Sequence, residues 1–144
     1  MSRRQLALAV LLVNGRYLLQ LRDDKPGIDH PGVWGLFGGS VEPGEDFITA
    51  IRREVEEELC IRPDNIRFLE TIEYADESRG DRVSVAVFEA DITPHWGRHR
   101  LTEGQAARHF TAEQLAGLPM PPVIRTILAK HHAKMALKSA AESP

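Results

Sequence analysis

The chain opens with two short apolar runs, at residues 6–13 and 17–21, with Asn14 and Gly15 between them. Both runs are apolar enough for buried strands, and an Asn-Gly pair tolerates the positive φ angles of a tight turn. The pattern predicts a β-hairpin. Arg3 and Arg4 ahead of the first run also resemble the start of a twin-arginine export signal. That run is short and no small-x-small cleavage site follows it, so we favour the hairpin.

Helical periodicity follows a turn-rich stretch at 38–45. Phe47, Ile51, Val55 and Leu59 recur every four residues and predict a helix that begins after the N-cap residue Asp46. The other predicted elements are strands at 33–37, 66–74, 82–92 and 105–110, a helix at 112–116 capped by Thr111, a last helix from Pro121 or Pro122 to about Lys138, and a frayed tail at 139–144. No repeat or linker interrupts this pattern, which predicts one mixed α/β domain over residues 1–144.

Composition narrows the class of protein further. The chain has 144 residues, a formal net charge of −3 and one cysteine. A chain of this length buries a sizeable core without a disulfide, and one cysteine excludes an internal disulfide and any multi-cysteine metal site. A net negative charge argues against a nucleic-acid-coating surface, and no apolar run is long enough for a membrane helix. We therefore expect a cytoplasmic protein without nucleic-acid or membrane partners.

The predicted helix that follows Asp46 carries the candidate chemistry. Glu54, Glu57 and Glu58 fall within a sector of about 100° on one helix face, whereas Glu56 points elsewhere. Like charges at these spacings destabilise an isolated helix by about 0.2–0.5 kcal/mol per pair. A hard divalent cation would offset the repulsion, because oxygen-only sites suit magnesium, manganese or calcium. The alternative is an ordinary solvated acidic face.

The turn before that helix favours metal binding over a solvated acidic face. Gly38, Gly39 and Gly44 let the backbone approach a phosphate or aim a carbonyl at a metal ion. A glycine-rich turn alone is more often just a hairpin. A hydrolase of phosphate anhydrides needs both parts, a loop that tolerates close approach and a carboxylate cluster that holds metal.

These two parts together closely resemble the signature of the Nudix hydrolases. The resemblance spans residues 39–61, with one departure, Cys60, where the family usually has glycine. The positions that match the signature in register are Gly39, Glu45, Arg53, Glu54, Val55, Glu57, Glu58 and Ile61. The resemblance implies an α/β/α sandwich with a central mixed β-sheet, in which the signature folds as loop, helix and loop.

The resemblance also implies roles for individual residues. Three glutamates would hold Mg²⁺, with Mn²⁺ as a substitute, and the carbonyl of Gly38 or Gly39 would be a further ligand. Arg53 would orient a glutamate, and Glu45 with Gly44 would brace the turn. Glu54 is a candidate for the base that activates water. Glu103, in a loop that resembles one of small family members, would contribute an extra metal ligand or the base. The implied metal ligands are Glu54, Glu57 and Glu58.

The implied reaction is metal-dependent attack of water on a nucleoside diphosphate linked to another group X, which releases a nucleoside monophosphate and phosphate-X. The substrate is thus a small nucleotide, and a homodimer is possible for a family in which many members pair. The alternative function is a Nudix-fold nucleotide-binding or regulatory module without turnover. We favour the enzyme, because none of the three signature glutamates is replaced.

Residues outside the signature are less informative. Arg22 could contact a phosphate, although a plain surface charge is an equally good interpretation. Trp34 could stack on a base, although aromatic residues on strands more often belong to the core. Cys60 stands at the expected left-handed helix end, where it would cost about 1 kcal/mol unless the helix ends by another route. Its aliphatic neighbours predict a partly buried thiol. The histidines are expected on exposed surfaces; they include His95, His99, His131 and His132.

Overall fold

The computed structural model describes residues 3–22, 32–97 and 106–142 of the chain. None of the helices in these ranges is long and apolar enough to cross a membrane. In chain order, the elements are β1 (Arg3–Val13), β2 (Arg16–Leu21), β3 (Trp34–Gly35), β4 (Phe37–Ser40), α1 (Phe47–Leu59), β5 (Arg67–Asp76), β6 (Asp81–Asp91), a short 3-10 helix (Thr93–His95), β7 (Ala106–Phe110), α2 (Ala112–Leu115) and α3 (Pro122–Glu142).

The predicted hairpin is confirmed as β1 and β2. Asn14 has a φ of 51° and Gly15 a φ of 77°, so both turn residues lie in the left-handed region that matches the twist of the two strands. Arg4 belongs to β1, where its guanidinium donates to Asp76 at 2.7 Å and to Asp81 at 2.8 Å. The basic start of the chain therefore takes part in the sheet.

The strands form one mixed sheet, as the family resemblance implied. The main order is β3-β2-β1-β6-β5, while β4 pairs with β1 and β7 pairs with β2. β1 and β6 run parallel, and the other pairs are antiparallel. Because β2 pairs with the end of β1 and β4 with its beginning, the sheet divides along that edge.

The single strand predicted at 33–37 is wrong in its extent. The structure has two strands, because Leu36 carries the chain from a pairing with β2 to a pairing with β1. Gly38 and Gly39, which the sequence placed in a turn, pair with Leu8 and Ala7. A side chain at Gly38 would collide with the Ala7 carbonyl oxygen, so glycine is required for this close backbone approach.

Two apolar cores lie on opposite faces of the sheet, which makes the domain an α/β/α sandwich. On one face, α1 buries its apolar stripe against alternate residues of β1 and β6; this core includes Ala9, Leu11, Ile51, Val55, Leu59, Ala86 and Phe88. On the other face, α2 and α3 cover the remaining residues; this core includes Val10, Leu19, Trp34, Val85, Leu115, Ile127 and Leu128.

The ends of α1 agree with the predicted signals, with one correction. The Asp46 side chain accepts a hydrogen bond from the Thr49 N–H at 2.9 Å, which confirms the N-cap. Cys60 ends the helix in the left-handed region at a φ of 57°. The expectation of a partly buried thiol is wrong, because Cys60 is exposed.

The C-terminal helix is longer than predicted. α3 continues to Glu142, whereas the sequence predicted its end near Lys138 and a tail from 139. Ile124, Ile127 and Leu128 bury the first half of α3, and every residue from 132 to 141 is exposed. Alanines at 133, 136, 140 and 141 have high helix propensity, which supports the helix beyond the last buried turn.

Candidate active site

The signature glutamates lie where α1 crosses β4. The Glu54 carboxylate rests directly on Gly39, since a β-carbon added there would meet Glu54 Oε1 at 2.6 Å. Burial raises the pKa of Glu54, and the nearby Arg53 guanidinium only partly opposes the shift. Glu54 also makes a side-chain hydrogen bond with Glu58. Two carboxyl groups in such contact need a shared proton or a cation between them.

Arg53 connects the turn to the helix. Its guanidinium donates to both oxygens of Glu45, at 2.8 and 2.9 Å, and to the Ser40 carbonyl at 3.0 Å. The third nitrogen, Nη1, lies 3.0 Å from Glu54 and 3.3 Å from Glu57. The hydrogen bonds from Arg53 are the main reason that the pKa of Glu45 falls to about 2. The signature turn is therefore fixed to α1 by a bidentate ion pair.

Glu58 is held by different partners. Its side chain is 1% exposed, which is unusual for a glutamate. Gly38 N–H donates to Oε1 at 3.1 Å, and Gln20 Nε2 donates to Oε2 at 3.0 Å. Glu57, by contrast, has a side chain that is 52% exposed. The three glutamates thus span a range from fully buried to open.

The structure brings only part of the predicted site together. Glu54 and Glu58 are in contact, and Glu57 shares Arg53 with Glu54. Across the described ranges, no three His, Cys, Asp or Glu side chains are gathered closely enough to hold a metal ion. Gly44 lies in the turn with a φ of 79°. Glu103, the other candidate base, lies outside the described residues, as does His99, so these two expectations stay predictions.

The two predicted substrate residues lie near the divided edge of the sheet. Arg22 follows β2, and its N–H donates to the Val33 carbonyl at 2.9 Å. Trp34 is 9% exposed and packs edge-to-face on Phe110 with ring centroids 5.0 Å apart. The buried Trp34 ring contributes to the core beneath α3. Contact of Arg22 or Trp34 with substrate stays a prediction.

Two buried polar residues were missed by sequence reasoning. Gln20 interrupts an otherwise apolar strand, which is a signal for a buried polar contact that the hairpin interpretation overlooked. His131 was expected on the surface, but it is 4% exposed and is hydrogen-bonded to Tyr17 and Glu89. Its position seven residues after Ile124 on the buried stripe of α3 would have placed it correctly.

Comparison with known proteins agrees with this architecture. The fold is an α/β/α sandwich, in which the mixed sheet lies between α1 and the C-terminal helix α3. The candidate site consists of the signature turn and α1, with glycines beneath the carboxylates. The chain belongs to the Nudix family, because the family model described as NUDIX domain matches residues 3–131. The family resemblance found in the sequence is thereby confirmed.

Individual relatives are similar over different lengths. A nucleoside triphosphatase NudI from Salmonella agona (strain SL483) is 46% identical over 59 residues, which cover 41% of this chain and 41% of that protein. The chain thus spans about two fifths of the length of the curated relatives it matches. The MutT NUDIX hydrolase from Burkholderia pseudomallei is similar in structure, with a TM-score of 0.73, 29% identity, and coverage of 90% of this chain and 98% of that one.

A second similar structure contains a ligand. The NUDIX domain of Shewanella oneidensis NrtR, complexed with ADP ribose, superposes with a TM-score of 0.76 at 17% identity and covers 94% of this chain and 90% of that one. At this level of identity, the likeness concerns the fold alone.

Proposed function

We propose that the protein hydrolyses a phosphate anhydride in a nucleoside diphosphate linked to another group X, in a reaction that depends on Mg²⁺ or Mn²⁺. The observation that carries the proposal is the contact between the partly exposed carboxyl group of Glu54, which rests on Gly39, and the fully buried carboxyl group of Glu58. Two carboxylates this close repel each other when both are ionised, and Arg53 offsets that repulsion at Glu54. A cation at this position would remove the repulsion.

The donor set fits a hard divalent ion. All candidate side-chain donors are carboxylate oxygens, which Mg²⁺ and Mn²⁺ prefer. Gly39 has no side chain in the space that the Glu54 carboxylate occupies, so the backbone and the carboxylate meet at one point. Glu57, whose exposed side chain shares Arg53 with Glu54, would be the third carboxylate ligand.

The residues of the chain divide the work of the proposed reaction. The bound metal ion would supply charge neutralisation of the phosphates and a lower pKa for the attacking water. Arg53 Nη1 holds Glu54 Oε1, which orients that carboxylate to accept the proton of the water. The water oxygen then bonds to phosphorus as the anhydride P–O bond breaks, which leaves a nucleoside monophosphate and phosphate-X. Glu103 is the second candidate for the base.

The NudI relatives give a starting point for the substrate. Because these proteins are nucleoside triphosphatases, nucleoside triphosphates come first in a screen with Mg²⁺, followed by dinucleotides, nucleotide sugars and ADP-ribose. Release of a nucleoside monophosphate is the signal. Tight nucleotide binding without any release would instead favour the binding or regulatory module. A single cysteine in the sequence supports a reducing compartment, and we propose the cytoplasm.

The sharpest test compares two neighbouring glutamates on α1. We expect Glu57→Gln to lower turnover by orders of magnitude, while the melting temperature in metal-free buffer holds or rises because one repulsive charge is lost. Glu56→Gln is the matched control, since Glu56 points away and pairs with Arg62 at 2.8 Å. Its turnover should stay unchanged. Equal turnover in the wild type and Glu57→Gln would refute the assignment.

A further inference from the structure

We propose that Gln20 is a positioning residue for the metal site, through its hydrogen bond to Glu58. The inference deepens the proposed function and rests on it. Gln20 lies on β2, thirty-eight residues from Glu58 in sequence, and is 4% exposed. Its neighbours Leu19 and Leu21 face the opposite core, so only Gln20 and Leu18 of this part of β2 face α1. A buried amide loses its hydrogen bonds to water, so it needs hydrogen-bond partners within the protein to offset that cost.

Those partners are the helix and the divided edge of the sheet. Gln20 Nε2 donates to Glu58 Oε2 at 3.0 Å and to the Leu36 carbonyl oxygen at 3.3 Å. Leu36 is the residue at which the chain passes from β3 to β4. One amide group therefore ties β2 both to α1 and to the start of the glycine strand. The relative position of carboxylate and glycine backbone depends on this bridge.

Both carboxyl oxygens of Glu58 accept hydrogen bonds from neutral donors. The Gly38 N–H donates to Oε1 at 3.1 Å, and Gln20 donates to Oε2. Hydrogen bonds to both oxygens of one carboxyl group restrict its rotamer. Gln20 is a neutral donor, so it adds no positive charge beside the oxygens that are proposed to bind the cation. By contrast, Arg53 brings a positive charge to Glu54 and Glu57.

The division of labour gives each glutamate a different role in metal binding. Hydrogen bonds from β2 and β4 hold the Glu58 carboxyl group in place without a metal ion, whereas the side chain of Glu57 is exposed. Partners that orient a metal ligand typically change metal affinity by about 10–100-fold when they are removed. The Gln20 contact should therefore be visible in metal binding as well as in turnover.

The experiment replaces Gln20 by a side chain of similar length without a donor. For Gln20→Met, we expect the Mn²⁺ affinity of the metal-free protein to fall about 10–100-fold, measured from the electron paramagnetic resonance signal of free Mn²⁺. Turnover should fall at limiting Mn²⁺ and recover largely at saturating Mn²⁺. Gln20→Asn keeps the amide but is one methylene shorter, so it should show the same loss and remains informative if the methionine variant does not fold.

Tyr17→Phe is the matched control. Tyr17 is also buried on β2, but it lies on the opposite face and bonds His131 at 2.9 Å. This variant should lose stability in urea unfolding with EDTA while its Mn²⁺ affinity stays at the wild-type value. If the wild type binds Mn²⁺ and turns over, and a folded Gln20 variant has unchanged Mn²⁺ affinity, the inference about Gln20 is wrong while the proposed function stands. A wild type that neither binds Mn²⁺ nor hydrolyses nucleotides overturns the proposed function, and the inference falls with it.

Discussion

At the scale of single residues, one guanidinium organises most of the signature. Arg53 binds Glu45 across the turn and Glu54 along the helix, so turn geometry and carboxylate geometry depend on the same side chain. The hydrogen bonds to Glu45 and Glu54 raise the pKa of Arg53, which keeps it charged at any accessible pH. Lysine could not replace it, because a point charge cannot hold Glu45 and Ser40 together by a planar fork.

The Arg53–Glu45 pair predicts a specific acid sensitivity. The pKa of Glu45 is lowered from 4.5 to about 2, so its stabilising contribution is complete above pH 4.5 and disappears as the pH falls towards 2. In urea unfolding of the metal-free protein, the wild type should be more stable than Glu45→Gln near neutral pH. This difference should shrink progressively on the acid side. A difference that stays constant through the acid range would contradict the ion pair.

Residue identities in the signature were predictable, whereas their environments were not. The spacing from Gly39 to Ile61 identified Arg53 and the glutamates without any structural information. Exposure is set by the packing of neighbouring elements, so the aliphatic neighbours of Cys60 in the sequence were a misleading guide to its burial. The same limit hid Gln20, whose partners come from α1 and from the junction of two strands.

At the scale of elements, the hairpin and α1 were predictable because their signals are local. Asn14 and Gly15 determine the turn, and the Asp46 cap with a four-residue apolar repeat determines the helix. The separation of β3 from β4 depends instead on which partner strand each segment meets. The parallel pairing of β1 with β6, which joins Arg3 to Arg82, likewise leaves no short-range signal.

The docking of α3 depends on a buried polar cluster as well as on apolar contacts. His131 Nε2 lies 2.6 Å from Glu89 and donates to it, because an ionised carboxylate only accepts; Nδ1 is hydrogen-bonded to the Tyr17 hydroxyl at 2.9 Å. Burial by itself raises the pKa of Glu89, but hydrogen bonds from Arg67 and His131 outweigh burial and lower it. Burial, followed by the charge of Glu89, raises the pKa of Tyr17 to about 12.

This cluster predicts a measurable coupling between α3 and β2. His131→Phe should destabilise the protein by about 1–3 kcal/mol in urea unfolding, because Tyr17 and Glu89 each lose a buried partner. Combined with Tyr17→Phe, the effects should be non-additive by about 0.5 kcal/mol or more. His132→Phe, at the exposed neighbouring position, should change stability by less than about 0.5 kcal/mol. Simple additivity of the two cluster variants would show that the hydrogen bond contributes nothing.

At the scale of the whole molecule, one sheet serves two cores. Alternate residues of β1 enter opposite sides, with Ala9 and Leu11 beneath α1 and Val10 beneath α3. Neither core can lose its packing without disturbing the strands that build the other. The sandwich itself followed from the family resemblance, whereas the assignment of each helix to a face needed the structure.

The shared sheet predicts that both faces unfold together. The two tryptophans of the chain report on different faces, since Trp34 belongs to the core beneath α3 and Trp96 packs against the core beneath α1. In Trp34→Phe and in Trp96→Phe, the fluorescence transition in urea should coincide with the far-ultraviolet circular dichroism transition of the same variant. An earlier fluorescence transition in either variant would reveal a face that opens separately.

The exposure of Cys60 makes this chain convenient for spectroscopy. It is the one thiol in the sequence and it follows the last residue of α1, so a maleimide reagent would attach at a single, known position without any engineered cysteine. A nitroxide placed there would sense paramagnetic broadening from Mn²⁺ bound near the glutamates of the same helix. The extent of broadening would report the distance between the bound Mn²⁺ and the label on Cys60, and no nucleotide is needed for the measurement.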